Sequence, residues 1–233
     1  MKHTVPLNRA LSKLGILSRA QATVAIRAGR VRVDGHVVDN PYAPTVPESA
    51  RITIDQEART RAAWRTILFH KSRGAVTTRQ DPEGRPTIYD VLGDDARGMI
   101  AVGRLDRATT GLLMLTSDTQ LAHWVTDPAN AVPRVYIVTV RGRVTAAELA
   151  ELGDDRKILL RKTSARESHL TIELTEGKNR QVRRLFDALG HEVTRLKRVR
   201  LGGLELGDLQ PAAWRDVTAR ELRGAFPDAP IRI

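Results

Sequence analysis

Cysteine is absent from the 233 residues, which excludes disulfides, thiolate nucleophiles and Cys-ligated zinc. The six histidines, at positions 3, 36, 70, 123, 169 and 191, show no metal-ligand spacing, so no metal is expected. No apolar run approaches the roughly 20 residues that cross a bilayer. The N-terminus lacks the charged start, apolar stretch and small-residue cleavage site of a secretory signal. A soluble, cytoplasmic chain with no membrane partner is the expectation. Gly-x-x-x-x-Gly-Lys-Ser/Thr does not occur, which leaves ATP-driven remodelling without support. Aromatic residues make up only 4% of the chain, and Trp64, Trp124 and Trp214 read as packing anchors before base stackers. His191, after the Gly190 that can end a helix, reads as structural.

Positive charge is what the chain has in excess. A formal charge of +11 and a pI near 10.7 suit a polyanionic partner, because each neutralised phosphate releases condensed counterions. RNA, DNA and anionic lipid all meet that condition. Residues 177 to 200 hold eight Lys or Arg against Asp187 and Glu192, over half of the total surplus. The plain reading of such a run taken alone is a solvated basic face.

The length suits one or two domains. Leu7, Leu11, Leu14 and Leu17 recur at near-helical spacing, and Gly15 can take the left-handed conformation that ends a first helix. Ser18 and Gln21 form a capping box for a second helix, which Gly29 can close. Val31 to Val38 reads as a hairpin around Asp34-Gly35, since Asp-Gly accepts the positive φ of a type I′ turn. A DNA-reading helix-turn-helix would share the two helices, but it packs against a third helix where this chain has a hairpin. The stretch LSKLGILSRAQATVAIRAGRVRVDGHVV resembles the small RNA-binding fold named after ribosomal protein S-four, over about residues 5 to 57. That resemblance implies RNA contacts from the basic helical face and nominates Arg9, Lys13, Arg19, Arg27 and Arg30.

Residues 55 to 65 are polar and lack strand alternation, so the first domain is expected to end there, giving 1–58, a linker at 59–65 and a larger unit at 66–233. In that unit, strand-like runs at 66–70, 99–102, 112–115, 135–140 and 170–174 interleave with helices near 119–126, 146–152 and 179–189. Capping boxes at Thr145 with Glu148 and Thr218 with Glu221 mark two further helix starts. The pattern predicts an α+β fold: a small N-terminal αβ RNA-binding domain, then a domain with a central, mostly antiparallel mixed sheet flanked by helices.

The segment Gly103-Arg104-Leu105-Asp106-Arg107-Ala108-Thr109-Thr110-Gly111-Leu112-Leu113-Met114-Leu115-Thr116-Ser117-Asp118 sets one carboxylate in a glycine-bounded loop between two apolar strand-like runs. It resembles the catalytic motif of RNA pseudouridine synthases of the RsuA/RluB/RluE/RluF type, GRLDxxTxGLLLLTND, whose aspartate attacks the target uridine. Asp106 is the matching residue, and Arg104 beside it is a candidate RNA contact. Glu176-Gly177-Lys178-Asn179-Arg180-Gln181-Val182-Arg183-Arg184-Leu185-Phe186 resembles the family's GKNRQVRRMF motif, whose cation after Gln-Val pairs with that aspartate. The match implies Arg183 as partner.

The residues agree on placement. Val182, Leu185, Phe186 and Leu189 follow the i, i+3, i+4, i+7 rule and bury one helix face, leaving Arg180 and Arg184 one turn apart for phosphate and Arg183 beside the buried stripe. Lys178 joins them as an RNA candidate. Three surface arginines would be the plain alternative. Tyr136, alternating with valines, reads as an ordinary strand aromatic; the family's KxYxV strand implies instead a platform for the target base, with Arg134 replacing the usual lysine. His70-Lys71-Ser72-Arg73-Gly74 and Asp81-Pro82-Glu83-Gly84-Arg85-Pro86-Thr87 resemble the family's NKPxG and DPEGRPT elements, with His70 for Asn and Ser72 for Pro. Lys71 and Arg85 are expected to meet phosphate.

Pseudouridine formation breaks the bond from base nitrogen to ribose, turns the base and joins carbon 5 to the same ribose. No atom is added, so no cofactor is expected, and an ionised carboxylate in a dry pocket needs a neighbouring cation to stay charged. The resemblance, spanning about residues 5 to 222, implies isomerisation of uridine in ribosomal RNA, 23S ahead of 16S, by a monomer acting on rRNA or a pre-ribosomal particle. A non-enzymatic ribosome-assembly factor with a dead pocket and a DNA-binding regulator are the competing classes.

Overall fold

The computed structural model describes residues 4–14, 16–47, 49–58, 64–152 and 157–231. The helix stop assigned to Gly15 and residues 59–63 of the expected linker lie outside the described residues.

The N-terminal part runs β1 (Val5–Pro6), α1 (Leu7–Lys13), α2 (Arg19–Arg27), β2 (Val31–Val33), β3 (His36–Val37), β4 (Pro44–Thr45), β5 (Ile52–Ile54) and β6 (Glu57–Ala58). The capping box forms as expected: Ser18 Oγ accepts from the Gln21 amide at 3.2 Å, and Gln21 Oε1 accepts from the Ser18 amide at 3.0 Å. Asp34 and Gly35 take φ of 51° and 88°, the left-handed pair that a tight hairpin turn requires. Strands β3-β2-β5-β6 make an antiparallel sheet, and β1 pairs with β4. Leu7, Leu11, Ala22, Ile26, Val31 and Ile52 close the core between helices and sheet.

The larger part continues with β7 (Thr66–Lys71), α3 (Ile88–Leu92), β8 (Ile100–Ala101), β9 (Thr110–Thr116), α4 (Thr119–Thr126), β10 (Arg134–Arg141), α5 (Ala146–Glu151), β11 (Lys157–Thr163), β12 (Glu167–Leu174), α6 (Gln181–Ala188), β13 (Val193–Leu201), β14 (Leu204–Glu205), β15 (Trp214–Asp216) and α7 (Ala219–Ala225). Among the described residues these strands form one nine-stranded sheet, ordered β11-β12-β10-β13-β9-β7-β15, with β14 on β13 and β8 on β9. The pairings are antiparallel except for β9 with β13. The expected α+β architecture, a small domain followed by a mostly antiparallel mixed sheet, is what the chain adopts.

Strands β7 and β9 are apolar almost throughout because both faces are covered. Leu68, Leu112 and Met114 pack under α4 and α7, while Ile67, Phe69, Leu113 and Leu115 pack under α3. Strands β10 and β12 alternate instead: Val138, Val140, Leu170 and Ile172 lie against Val182 and Phe186 of α6, and their neighbours face away. The capping boxes at Thr145 and Thr218 form. A further one, Thr87 with Asp90, starts α3, a short helix the periodicity did not reveal. The basic run contains the nine-residue strand β13, whose alternation is masked because cations occupy positions on both faces.

The parallel crossing of β9 and β13 depends on Gly111. It sits at φ +105° opposite Arg198, and a Cβ there would collide with the Arg198 carbonyl and lie 2.7 Å from its nitrogen. Gly111→Ala is expected to cost about 3 kcal/mol or more, because neither backbone can give way without breaking the sheet. Urea unfolding of the variant measures this; a cost below about 1 kcal/mol would show the crossing to be compliant.

Candidate active site

Asp106 stands on the loop between β8 and β9, and the surrounding chain pins that loop from below. Thr77 Oγ1 donates to the Leu105 carbonyl at 2.9 Å and accepts from its amide at 3.2 Å. The Gly74 amide donates to the Arg107 carbonyl at 2.9 Å, and the Thr109 amide to the Asp106 carbonyl at 2.9 Å. Leu105 is buried. Asp106, one residue on, is half-buried and opens onto a cleft.

Lys71 is the central support of this loop, which corrects its expected place on phosphate. Its side chain is fully buried, and its ammonium donates to the carbonyls of Ser72 and Thr109, each at 3.0 Å, and of Arg107 at 3.5 Å. Burial lowers its pKa from the usual lysine range to about 8, against the opposing pull of the Asp106 charge. Lys71 is therefore a cation within electrostatic reach of Asp106 and out of reach of RNA. Its place at the end of the buried run Thr66–Lys71 was the available signal.

The cleft has a volume of about 430 Å³ and is walled by Asp106, Tyr136, Arg104, Lys178, Arg180 and Arg198, among others. That size is within the range of small-ligand sites. The sequence-nominated Asp106 and Tyr136 thus share one cavity. Tyr136 is partly buried between two hydrophobic clusters, so its ring is held on β10. Arg180 adopts a left-handed φ of 49° at the start of α6, an uncommon conformation for a residue with a Cβ. Lys178 pairs with Glu176 at 2.7 Å.

Arg183 stands behind the wall, not in it. Its Nη1 donates to the Val193 carbonyl at 2.7 Å. Burial lowers its pKa, as do Arg180 and Arg73, while the charges of Asp106 and Glu192 raise it. The expected direct pairing is thus corrected to a through-space one: no ion pair within 4 Å joins Arg183 to Asp106 among the described residues. The physical reason is that the Val193 carbonyl captures one arm of the guanidinium.

Arg198 was counted in the basic run but not expected in the site. Strand β13 turns it inward, where its Nε donates to the Leu112 carbonyl at 2.7 Å. Arg134, also buried, donates to the carbonyls of Val132, Val125 and Thr175 at 2.7 to 3.0 Å. It ties the ends of α4 and β12 to the start of β10. Around this cleft Thr109 Oγ1, Gln181 Oε1, Arg183 Nε and Arg198 Nη2 are buried without hydrogen-bond partners among the described residues. Such atoms cost about 1 to 3 kcal/mol each unless something satisfies them.

The other nominated residues separate. Arg9, Lys13 and Arg19 line a groove of about 610 Å³ with Gln120 and His123 of α4. Arg27 is exposed on α2, and Arg30 forms a two-armed pair with Asp55 at 2.5 and 2.7 Å. Arg184 is exposed outside the cleft lining. Arg85 also departs from expectation: it clasps Asp81 at 2.7 Å and Glu83 at 2.8 Å, and it holds the Asp81 carboxyl down to about 2. Its guanidinium closes its own turn and is not free for phosphate. His191 bridges the Arg141 carbonyl and Glu148, a structural role. The described residues contain no group of His, Cys, Asp and Glu arranged to hold a metal.

Lys71 supplies a test with a definite sign. Its folded pKa of about 8 lies below its unfolded value of 10.5, so between these pH values the unfolded chain binds more protons and Lys71's contribution to stability rises with pH. The unfolding free energy of the wild type minus that of Lys71→Met is expected to grow from pH 8 to pH 10.5. A difference that stays flat or shrinks in urea titrations would contradict the buried charge.

Comparison with known proteins follows the same lines. A family model described as RNA pseudouridylate synthase matches residues 65–188, and one described as S4 domain matches residues 5–44. An uncharacterized RNA pseudouridine synthase of Aquifex aeolicus is 34% identical, covering 95% of this chain and 94% of its own. Ribosomal large subunit pseudouridine synthase B of Escherichia coli strain K12 is 38% identical, over 86% of this chain and 74% of its own. The Pseudomonas aeruginosa protein of the same name is 36% identical over 93% of this chain, which spans 60% of that relative. A crystal structure of a pseudouridylate synthase superposes with a TM-score of 0.63 at 28% identity, covering 94% of this chain and 98% of its own.

Proposed function

Because the chain belongs to the RNA pseudouridylate synthase family, we propose that it isomerises one or more uridines of ribosomal RNA to pseudouridine, in the large subunit's 23S RNA before the small subunit's 16S. The observation that carries the reading is the shared cleft of about 430 Å³, where a loop carboxylate, a strand tyrosine and a guanidinium nitrogen of Arg198 without a partner among the described residues meet. Relatives named as large-subunit enzymes, at 36 to 38% identity, support the choice of RNA. The reading includes a monomer in the cytoplasm, divided into an RNA-binding domain at 1–58, a linker at 59–65 and a catalytic domain at 66–233.

The target uridine leaves its stack and enters the cleft, at a cost of a few kcal/mol. Asp106 supplies the ionised carboxylate that acts as nucleophile while the bond from ribose to base nitrogen breaks. Arg183 and Lys71 are both cations in electrostatic reach of Asp106. Tyr136 presents its ring to the base. Carbon 5 joins the ribose and gives up its hydrogen as a proton, the bond formed by the Asp106 oxygen breaks to restore the carboxylate, and the freed ring nitrogen gains a proton, so atoms balance with no external reagent. Arg104, Lys178 and Arg180 contact the flanking phosphates, a reading supported by their position in the cleft lining, and Arg184 extends that basic surface along α6 beyond the cleft. Arg9, Lys13, Arg19, Arg27 and Arg30 carry RNA on the small domain.

Release of tritium from RNA labelled at uridine carbon 5 tests the assignment. Asp106→Asn is expected to slow release at least about 10³-fold, roughly 4 kcal/mol of barrier, while RNA binding persists. Wild-type release by that variant would remove Asp106 from the chemistry. RNA binding by the wild type without any release would leave an assembly factor.

A further inference from the structure

The sheet has a second face that the cleft does not use. Along β10, Arg134, Tyr136 and Val138 point toward the cleft and α6, so Val135, Ile137 and Thr139 point the other way. The register extends this face across four strands: Leu159 of β11 lies beside Thr171 of β12, Thr171 beside Ile137 of β10, and Ile137 beside Lys197 of β13. This row is bare. Ile137 and Leu159 are 47% and 51% exposed, and a groove of about 490 Å³ runs along the same face past Lys157, Arg161 and Arg200.

Charge distinguishes this surface from an ordinary solvated sheet. Lys157 and Arg200 both reach the same carboxylate, Glu173, at 3.1 and 2.5 Å, so one acid answers two cations. Among the described residues the Arg161 side chain hydrogen-bonds to the Thr171 hydroxyl alone, at 3.2 Å. Arg195 and Lys197 form no ion pair among the described residues. Strand alternation divides the basic run of the sequence: Arg198 turns into the cleft, and Arg195 and Lys197 turn onto the opposite face. The molecule is therefore basic on both sides of one sheet.

We propose that this open face binds the phosphate backbone of a second RNA segment, remote from the uridine in the cleft; the proposal rests on the RNA-modifying reading above. Polyanion fits better than splayed bases, because among the described residues of these four strands the His169 imidazole is the one aromatic ring on the face, and it is held edge-on by Thr139 and Glu167. Arg161 and Lys197 stand on strands three spacings apart, about 14 Å at ~4.8 Å per strand, so they engage separate phosphates. Contact to both faces requires an RNA that wraps around the sheet edge, as a folded ribosomal domain can and a short hairpin cannot. The face thus selects large structured RNA over small fragments bearing the same uridine.

The test combines Arg161→Gln, Arg195→Gln and Lys197→Gln, all at side chains outside the core and outside the cleft. Two probes, both labelled with tritium at uridine carbon 5, are compared with the wild type: a transcript of the large-subunit RNA, and a short stem-loop containing a uridine that the wild type isomerises. The expected result is a roughly tenfold loss of affinity for the long transcript, with a log–log salt slope shallower by about 2. Binding to the stem-loop and tritium release from it stay at wild-type levels. Unchanged affinity and slope on the long transcript would overturn the proposal. So would a concentration-dependent dimer in sedimentation that Ile137→Glu abolishes, which would give the face to a second copy. Failure of the wild type to release tritium from either RNA would defeat the catalytic reading instead, and the salt titration would still decide the open face.

Discussion

A buried ammonium group is the constraint from which the site is built. Lys71 ends a strand that is otherwise packed with apolar side chains, and its charge is tolerated only because three loop carbonyls surround it. Two of those carbonyls, of Arg107 and Thr109, belong to the Asp106 loop, and the third is that of Ser72 beside the lysine itself. The lysine thus exchanges water for the backbone of the reactive loop and fixes that backbone's path. The Asp106 carboxylate inherits a rigid mount and a nearby positive charge, with no direct ion pair to Lys71 among the described residues. A direct pair would hold Asp106 in place but would also occupy the oxygens that the proposed attack uses.

The same economy governs the arginines. Arg134, Arg183 and Arg198 each spend part of the guanidinium on main-chain carbonyls, which orients the remainder. Among the described residues Arg198 keeps a buried nitrogen unpartnered at the cleft, and Arg183 keeps one behind its wall. An anion or a base oxygen that reached the Arg198 nitrogen would offset the cost of leaving it unpaired. Surface cations, by contrast, supply long-range attraction that salt screens. Two populations of arginine, inner and outer, therefore separate positioning from capture.

Legibility differed between the two kinds of information. Capping boxes at Ser18, Thr145 and Thr218, the Asp34-Gly35 turn and the alternating strand around Tyr136 were readable because each depends on residues within a few positions. The short helix at Ile88 and the strand at Val193 were not read. The first is less than two turns long, and the second carries cations on both faces, which hides its period. Lys71 and Arg85 were sent to phosphate by motif resemblance, whereas one is buried and the other is clasped by Asp81 and Glu83.

By itself the order of residues determined the class of fold, the identity of the loop carboxylate and the polyanionic character of the partner. These follow from local propensity, from motif and from net charge, none of which depends on distant neighbours. Only the tertiary structure decided which cations face Asp106, which face the cleft mouth and which face the open side of the sheet. Arg195, Lys197 and Arg198 stand within four positions of one another, and their assignments depend on the register of β13 against β10 and β9. Register is set by pairings made across long stretches of chain, so a guanidinium's destination is a property of the assembled sheet.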